Sequence, residues 1–134
     1  TKNYDQVWLV VDRDDHSPEK MQGFIKDCQS RNITAVVSVP CFEVWLNAHY
    51  ERVRKYQNQK DAQRHYQRLT NLPDRAVKNI PDNFPFEEYE KACGNAHLTG
   101  NYNPMPNELA ESPATPMPYL LQAVELIGHN VAKG

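Results

Sequence analysis

The sequence lacks the features that define several large classes of protein. It has three cysteines, Cys28, Cys41 and Cys93, which lie far apart and form no CxxC motif or Cys/His cluster. This spacing argues against a disulfide framework or a zinc site, and it favours three buried, reduced thiols in a cytoplasmic protein. No apolar run approaches the ~20 residues of a membrane-spanning helix, so we expect no membrane contact.

The chain also lacks a strong net charge and an unusual composition. Its formal net charge is −2, so any contact with a polyanion must come from a local patch. Apolar residues make up 40% and charged residues 24%, which are globular values. We predict a single domain over residues 1–134, with an α/β core at 1–56 and a helical, loop-rich remainder at 57–134.

The first forty residues have the pattern of a βαβ unit. Residues 7–11, Val-Trp-Leu-Val-Val, form a continuous apolar run typical of a strand buried on both faces, and residues 33–39 form a second one. Between them, Ser17 and Pro18 are typical of a helix start, and an apolar stripe follows at helical spacing. The sequence therefore predicts two parallel strands joined by a helix.

Four helical segments are predicted after the second strand. They span residues 41–56, about 58–70, Pro85 to Cys93 with Gly94 as the C-cap, and Pro118 to about Gly128. Residues 95–118 are rich in Pro, Asn and Thr, which indicates either a functional loop or a mobile one.

Three carboxylates follow the first strand, at Asp12, Asp14 and Asp15. Ligands of open α/β sheets bind at the carboxyl ends of the strands. An extended backbone would direct Asp12 and Asp14 to the same side, and two such oxygen ligands suit Mg²⁺ or Mn²⁺. The alternative is an acidic turn in which Asp15 or Ser17 caps the helix. We predict Asp12 and Asp14 as metal ligands, Asp15 as part of the turn, and His16 as a solvated loop residue.

The loop after the second strand leads to a further acid, Glu43. In the first turn of the next helix, Glu43 either stabilises the helix dipole or reaches the metal site, and both readings stay open. His49 lies on the apolar face of the same helix. We therefore predict it to be a packing residue rather than a base.

A basic segment spans residues 51–79, which hold eight of the fifteen Lys and Arg residues. Tyr56, His65 and Tyr66 lie within this segment, and Tyr50 lies directly before it. Their rings could stack on bases while the cations contact phosphates, a mixture that suits a single strand. The alternative is a solvated helical face. The candidate nucleic-acid-binding residues are Arg52, Arg54, Lys60, Arg64 and Arg68.

The most specific motifs are Val-Trp-Leu-Val-Val-Asp-Arg-Asp-Asp at 7–15 and Pro-Cys-Phe-Glu-Val-Trp-Leu-Asn-Ala-His-Tyr at 40–50. Together they resemble the RloB-like family of bacterial defence-associated proteins, whose core is Toprim-like. Residues 112–115, Ser-Pro-Ala-Thr, resemble the C-terminal segment of the family less specifically.

The resemblance implies a Toprim-like parallel sheet flanked by helices, with a helical C-terminal half. It also implies a metal-dependent nuclease or phosphotransfer activity on DNA or RNA in phage defence, with Asp12 and Asp14 as the Asp-x-Asp metal ligands. The alternatives are a non-catalytic nucleotide or nucleic-acid binding module, and a structural subunit of a defence complex.

One part of the Toprim pattern is not matched by this sequence. A Toprim core opens with an earlier strand that ends in a Glu acting as general acid and base. We therefore expect either that N-terminal strand to lie outside this chain, or a second copy or partner chain to complete the sheet. Glu43 is a candidate substitute for that Glu.

Overall fold

A computed structural model describes residues 6–76, 79–98 and 104–127. Its strands and α-helices are β1 (Val7–Asp12), α1 (Pro18–Ser30), β2 (Ile33–Ser38), α2 (Glu43–Ala48), α3 (Gln59–Thr70), α4 (Tyr89–Asn95) and α5 (Met117–Ala123). Two 3-10 turns lie at Asp74–Ala76 and Phe86–Glu88. The architecture is α/β with a helical C-terminal half, as predicted.

The predicted βαβ unit is confirmed. β1 and β2 pair in parallel, with Val7 opposite Ile33 and Asp12 opposite Ser38. The hydroxyl oxygen of Ser17 caps α1 by accepting a hydrogen bond from the backbone N–H of Lys20 at 3.1 Å. Both strands therefore end at the same edge of the sheet.

The side chains of β2 separate two apolar clusters on the two faces of the sheet. Ala35 and Val37 pack with the apolar stripe of α1. Val36 points the other way and packs with residues of α2, α4 and α5. All three cysteines are buried and form no disulfide, as predicted.

β1 is less buried than its sequence predicts. Val7, Leu9 and Val10 are 43%, 41% and 39% exposed, so the prediction of a strand buried on both faces is wrong. Among the described residues, β1 pairs with β2 alone, and its other edge carries no strand. A continuous apolar run shows that a strand suits burial, but not which neighbour covers it.

The opposite edge of the sheet is covered by residues 104–116. The Asn107 backbone N–H donates to the Ala35 carbonyl at 2.9 Å, and Asn107 Oδ1 accepts from the Ala35 N–H at 2.9 Å. Farther along, Val39 and Ala114 form an antiparallel bridge. The described part of the Pro-rich segment is therefore an ordered edge of the sheet. Residues 99–103 of that segment lie outside the described residues.

The second predicted helix, at 41–56, ends early. α2 stops at Ala48, whose carbonyl accepts a hydrogen bond from Asn95 Nδ2 at 3.0 Å. The Val53 N–H donates to the Asn95 carbonyl at 2.9 Å. In a continuing helix it would instead donate to the carbonyl four residues earlier. Val53 and Tyr56 are buried, so tertiary contacts determine the course of this segment.

Two helix ends near the C-terminus also differ from the prediction. Gly94 lies inside α4, whose C-cap is Ala96. α5 ends at Ala123, and Glu125 adopts a left-handed backbone conformation with φ 64°. Val124 therefore lies beyond the helix, and it is exposed. Gly128 lies outside the described residues.

In the described ranges, no helix has both the length and the apolar character needed to cross a membrane.

Replacing Asn107 by Ala should destabilise the covered edge of the sheet. The variant leaves the Ala35 N–H without its acceptor and places alanine at φ 64°, so we expect the free energy of unfolding to fall by about 1–3 kcal/mol. Urea denaturation measures this change. The matched control is Asn107→Asp, which keeps an acceptor oxygen and tolerates a left-handed backbone. Equal losses in both variants would contradict the assigned role of the side-chain oxygen.

Candidate metal and nucleic-acid site

Asp12 joins the end of β1 to the beginning of α2. It is the last residue of β1 and is half-buried. Its Oδ1 accepts a hydrogen bond from the backbone N–H of Phe42 at 2.8 Å. The first predicted ligand therefore also fixes the position of α2 relative to the sheet.

Asp14 lies in a turn that runs beside the loop after β2. The Arg13 N–H donates to the Ser38 carbonyl at 2.9 Å, and the Asp14 N–H donates to the Pro40 carbonyl at 2.9 Å. Asp14 has φ 52°, a conformation that Asp and Asn adopt more readily than most residues. The extended backbone that was expected through Asp14 thus ends at Asp12. Both Asp14 and Asp15 are exposed.

Glu43 and Asp12 lie near the same buried thiol. Burial raises the pKa of Cys41, and the negative charges of Glu43 and then Asp12 raise it further. Cys41 Sγ lies 3.9 Å from the carbonyl oxygen of Gln59, the first residue of α3. The basic helix α3 therefore begins beside the acidic loops.

Only some of the side chains at this edge of the sheet are suitable ligands for a hard cation. Asp12 and Asp14 supply carboxylate oxygens, as Mg²⁺ and Mn²⁺ prefer, whereas the raised pKa keeps the Cys41 thiol protonated. Among the residues that the structure describes, no three His, Cys, Asp or Glu side chains are arranged to hold a metal ion. Mg²⁺ often binds through one or two carboxylates plus water and phosphate, so the assignment of these two ligands stays a prediction.

The five candidate nucleic-acid-binding residues have different surroundings. Arg52 Nη1 donates to the carbonyls of Gly94 and His97, at 3.0 and 3.1 Å, which gives it a structural role at the end of α4. Arg54 pairs with Asp61 at 2.9 Å. The remaining three are exposed on α3: Lys60, Arg64 and Arg68.

The aromatic residues of this segment do not form a stacking platform. Tyr56, His65 and Tyr66 are at most 2% exposed, so their rings cannot reach a base. Tyr50 is half-buried and packs edge-on against Phe84, with ring centroids 5.5 Å apart. The prediction that these rings stack on a single strand is therefore wrong for the three buried ones.

Instead, polar groups connect α3 to α2 and to the loop that follows α2. Glu51 Oε2 lies 2.8 Å from His65 Nε2, and His65 Nδ1 lies 2.5 Å from the Tyr56 hydroxyl. Asn47 Nδ2 donates to that hydroxyl and to the Ala62 carbonyl, both at 3.1 Å. This network was not predicted from the sequence. The spacing of Ala62, His65 and Tyr66 indicates a buried face of α3, but no local pattern identifies its partners.

The two other histidines of interest have different outcomes. His49 is buried between the rings of Trp45 and Phe84, with centroids 4.9 Å away in each case, so its predicted packing role is confirmed. His16 lies in the loop before α1 as predicted, but it is half-buried and lines a cleft with Asp12.

These observations define an α/β domain with an acidic loop at the carboxyl edge of a parallel sheet and a basic helix beside it. The family model described as RloB-like protein matches residues 1–124, so the chain belongs to the RloB-like family. No curated protein and no solved structure matched this chain significantly.

The buried histidines make the stability of the fold depend on pH. Burial lowers the pKa of His49 and of His65 in the folded chain. The unfolded chain, with histidine pKa values of about 6.5, therefore takes up protons first as the pH falls. We expect stability to be full above about pH 6.5 and to decrease below it.

Urea midpoints measured on both sides of that pH test the expectation. The His65→Gln variant should show a weaker pH dependence than the wild type, whatever its absolute stability. Wild-type urea midpoints that rise or stay constant as the pH falls would contradict the expected loss of stability.

Proposed function

We propose that this chain carries the metal-binding and nucleic-acid-binding part of a metal-dependent nuclease or phosphotransfer protein of bacterial phage defence. The observation that carries the proposal is the convergence of three features at one edge of the sheet. Asp12 ends β1, Glu43 opens α2, and Gln59 begins the basic helix α3 beside Cys41. The carboxyl edge of parallel strands is where open α/β sheets bind their ligands.

The acidic loop supplies the groups that phosphodiester chemistry requires. Asp12 and Asp14 would hold Mg²⁺ or Mn²⁺, which polarises a phosphoryl oxygen and activates an attacking water when bound. The Asp12–Phe42 hydrogen bond fixes one of these carboxylates relative to α2. Glu43 and Asp12 both raise the pKa of the Cys41 thiol, so the two carboxylates lie near the same group. Glu43 is therefore a candidate for the residue that transfers the proton.

The exposed cations of α3 would hold the nucleic acid. Lys60, Arg64 and Arg68 are exposed, and the buried network of His65 and Tyr56 fixes the helix that carries them. Cations on such a helix contact phosphates without reading sequence. This contribution supports binding to DNA and RNA equally.

A further strand along β1 belongs to the same proposal. Val7, Leu9 and Val10 are exposed on an edge that no described strand covers. Two strands alone make a marginal sheet, so pairing with a partner chain or a second copy would stabilise it. In a Toprim-like arrangement such a strand would also bring the Glu that acts as general acid and base.

Two alternatives rest on specific observations. A non-catalytic nucleotide or nucleic-acid binding module is favoured by the absence, among the described residues, of three side chains arranged to hold a metal. A structural subunit of a defence complex is favoured by the exposed apolar edge of β1. The three buried, reduced thiols agree with a cytoplasmic location in each case.

The metal assignment predicts that Asp12→Asn and Asp14→Asn each abolish Mn²⁺ binding, as measured by calorimetry. Asparagine keeps an oxygen for the Phe42 N–H at position 12 and tolerates φ 52° at position 14, so both variants should fold. Asp15→Asn is the matched control, since Asp15 is an exposed acid of the same turn. Unchanged affinity in Asp12→Asn, or equal loss in Asp15→Asn, would refute the assignment.

The nucleic-acid surface predicts a change in salt dependence. Replacing Arg64 and Arg68 by Gln should weaken binding to a single strand and reduce its salt slope by about 0.7 per lost phosphate contact. The matched control is the Lys26→Gln/Arg31→Gln double variant, which removes two exposed cations from α1 and its C-cap. Fluorescence anisotropy at several salt concentrations measures both. Equal salt slopes in the two double variants would mean that α3 is a solvated face that does not bind nucleic acid.

A further inference from the structure

A cleft of about 180 Å³ adjoins the acidic loop, between the carboxyl end of β1 and the first turns of α1. Its walls combine apolar and charged side chains, and it is lined by Val11, Asp12, His16, Lys20, Met21 and Phe24. Asp12 thus belongs both to the proposed metal site and to this cleft. The two charged groups that line the cleft with opposite signs are Asp12 and Lys20.

We propose that this cleft binds one unpaired nucleobase of a single-stranded nucleic acid, with Lys20 and His16 contacting the adjoining phosphate. The inference rests on the proposed function, because it takes the ligand of the acidic loop to be a nucleic acid. It adds a binding site for one base of that ligand and two residues that position the adjoining phosphate. No residue of the cleft other than Asp12 was among the candidate site residues.

The size and the walls of the cleft suit a flat ring. An apolar protein cavity of about 150 Å³ is large enough to admit benzene, so a cleft of about 180 Å³ accommodates a single ring system. Val11, Met21 and Phe24 supply apolar walls, and the half-buried Phe24 leaves part of its ring able to contact a ligand. Stacking of a base on an aromatic side chain tolerates every sequence, because each base has a π face.

The charged groups suit a phosphate beside that ring. Lys20 is exposed in the first turn of α1 and has no ion-pair partner among the described residues. His16 lies in the loop four residues before Lys20, and its carbonyl accepts a hydrogen bond from Arg13 Nε at 2.9 Å, which holds the loop in place. A phosphate bound by these groups would lie next to Asp12, where the metal is proposed.

A base inside a duplex is stacked and paired, and it enters such a cleft only after it flips out of the helix. The cleft therefore favours single strands or unpaired ends over intact duplexes. In this proposal the ring of Phe24, and not the buried rings of Tyr56 and His65, contacts the base.

The test compares three labelled ligands by fluorescence anisotropy: a short oligothymidylate, the same strand annealed to its complement, and an abasic strand of equal length. Phe24→Leu removes the ring but keeps an apolar side chain against the core. Lys20→Gln removes the charge from an exposed position. Lys26→Gln, on the same helix, is the matched control.

We expect the wild type to bind oligothymidylate more tightly than the abasic strand and the duplex. Phe24→Leu should weaken binding to oligothymidylate by at least about fivefold and leave binding to the abasic strand unchanged. Lys20→Gln should weaken both, and Lys26→Gln neither. A wild type that does not prefer oligothymidylate to the abasic strand, or a Phe24→Leu variant that binds as the wild type does, would overturn the proposal.

A Mn²⁺ titration of each variant separates this inference from the proposed function. Phe24→Leu and Lys20→Gln should bind Mn²⁺ like the wild type. If the wild type shows no base preference while it binds Mn²⁺ through Asp12 and Asp14, only the cleft assignment fails. If the wild type prefers the base but neither it nor any variant binds Mn²⁺, the metal-dependent function fails and the cleft assignment stands.

Discussion

The parallel register of β1 and β2 is the constraint on which the candidate site depends. With Asp12 opposite Ser38, both strands end at one level, and the loops that follow run side by side. The backbone bonds from Arg13 and Asp14 to Ser38 and Pro40 continue this pairing beyond the strands. A slip of one residue would exchange the two faces of β1 and separate Asp12 from the Phe42 amide.

The site is divided between a loop that would perform chemistry and a helix that would hold the ligand, and buried polar contacts join the two. The Glu51–His65–Tyr56 chain joins α3 to the loop after α2, Asn47 connects α3 to α2 itself, and Asp12 connects α2 to β1. Such contacts confine the cations of α3 to one direction relative to the acidic loop. Functional groups supported in this way keep their geometry better than groups on unsupported loops.

The sequence predicts those parts of the fold that depend on neighbouring residues. The Ser17 cap and the two apolar runs are local patterns, and the structure contains the βαβ unit that they predict. The length of α2 was not predictable in this way. It is determined by Asn95, which is remote in sequence and binds both Ala48 and Val53.

The candidate site was predictable to a similar extent. The place of Asp12 follows from the end of an apolar run, but its partner is the backbone amide of Phe42, which no side-chain pattern reveals. Composition likewise placed Tyr56 and His65 among cations without showing that they point inward. Amino-acid content indicates which groups a segment contains, whereas packing decides which of them reach solvent.

The open edge of β1 has a consequence for the chain in solution. An apolar edge strand is a template for pairing with other copies, and proteins commonly oppose such pairing with charges. Asp14 and Asp15 lie just beyond this strand and would act as gatekeepers against parallel pairing of two copies, which would bring these mutually repelling acids together. A divalent cation bound at the loop would neutralise part of that repulsion. Metal binding would then make the isolated chain more prone to aggregation.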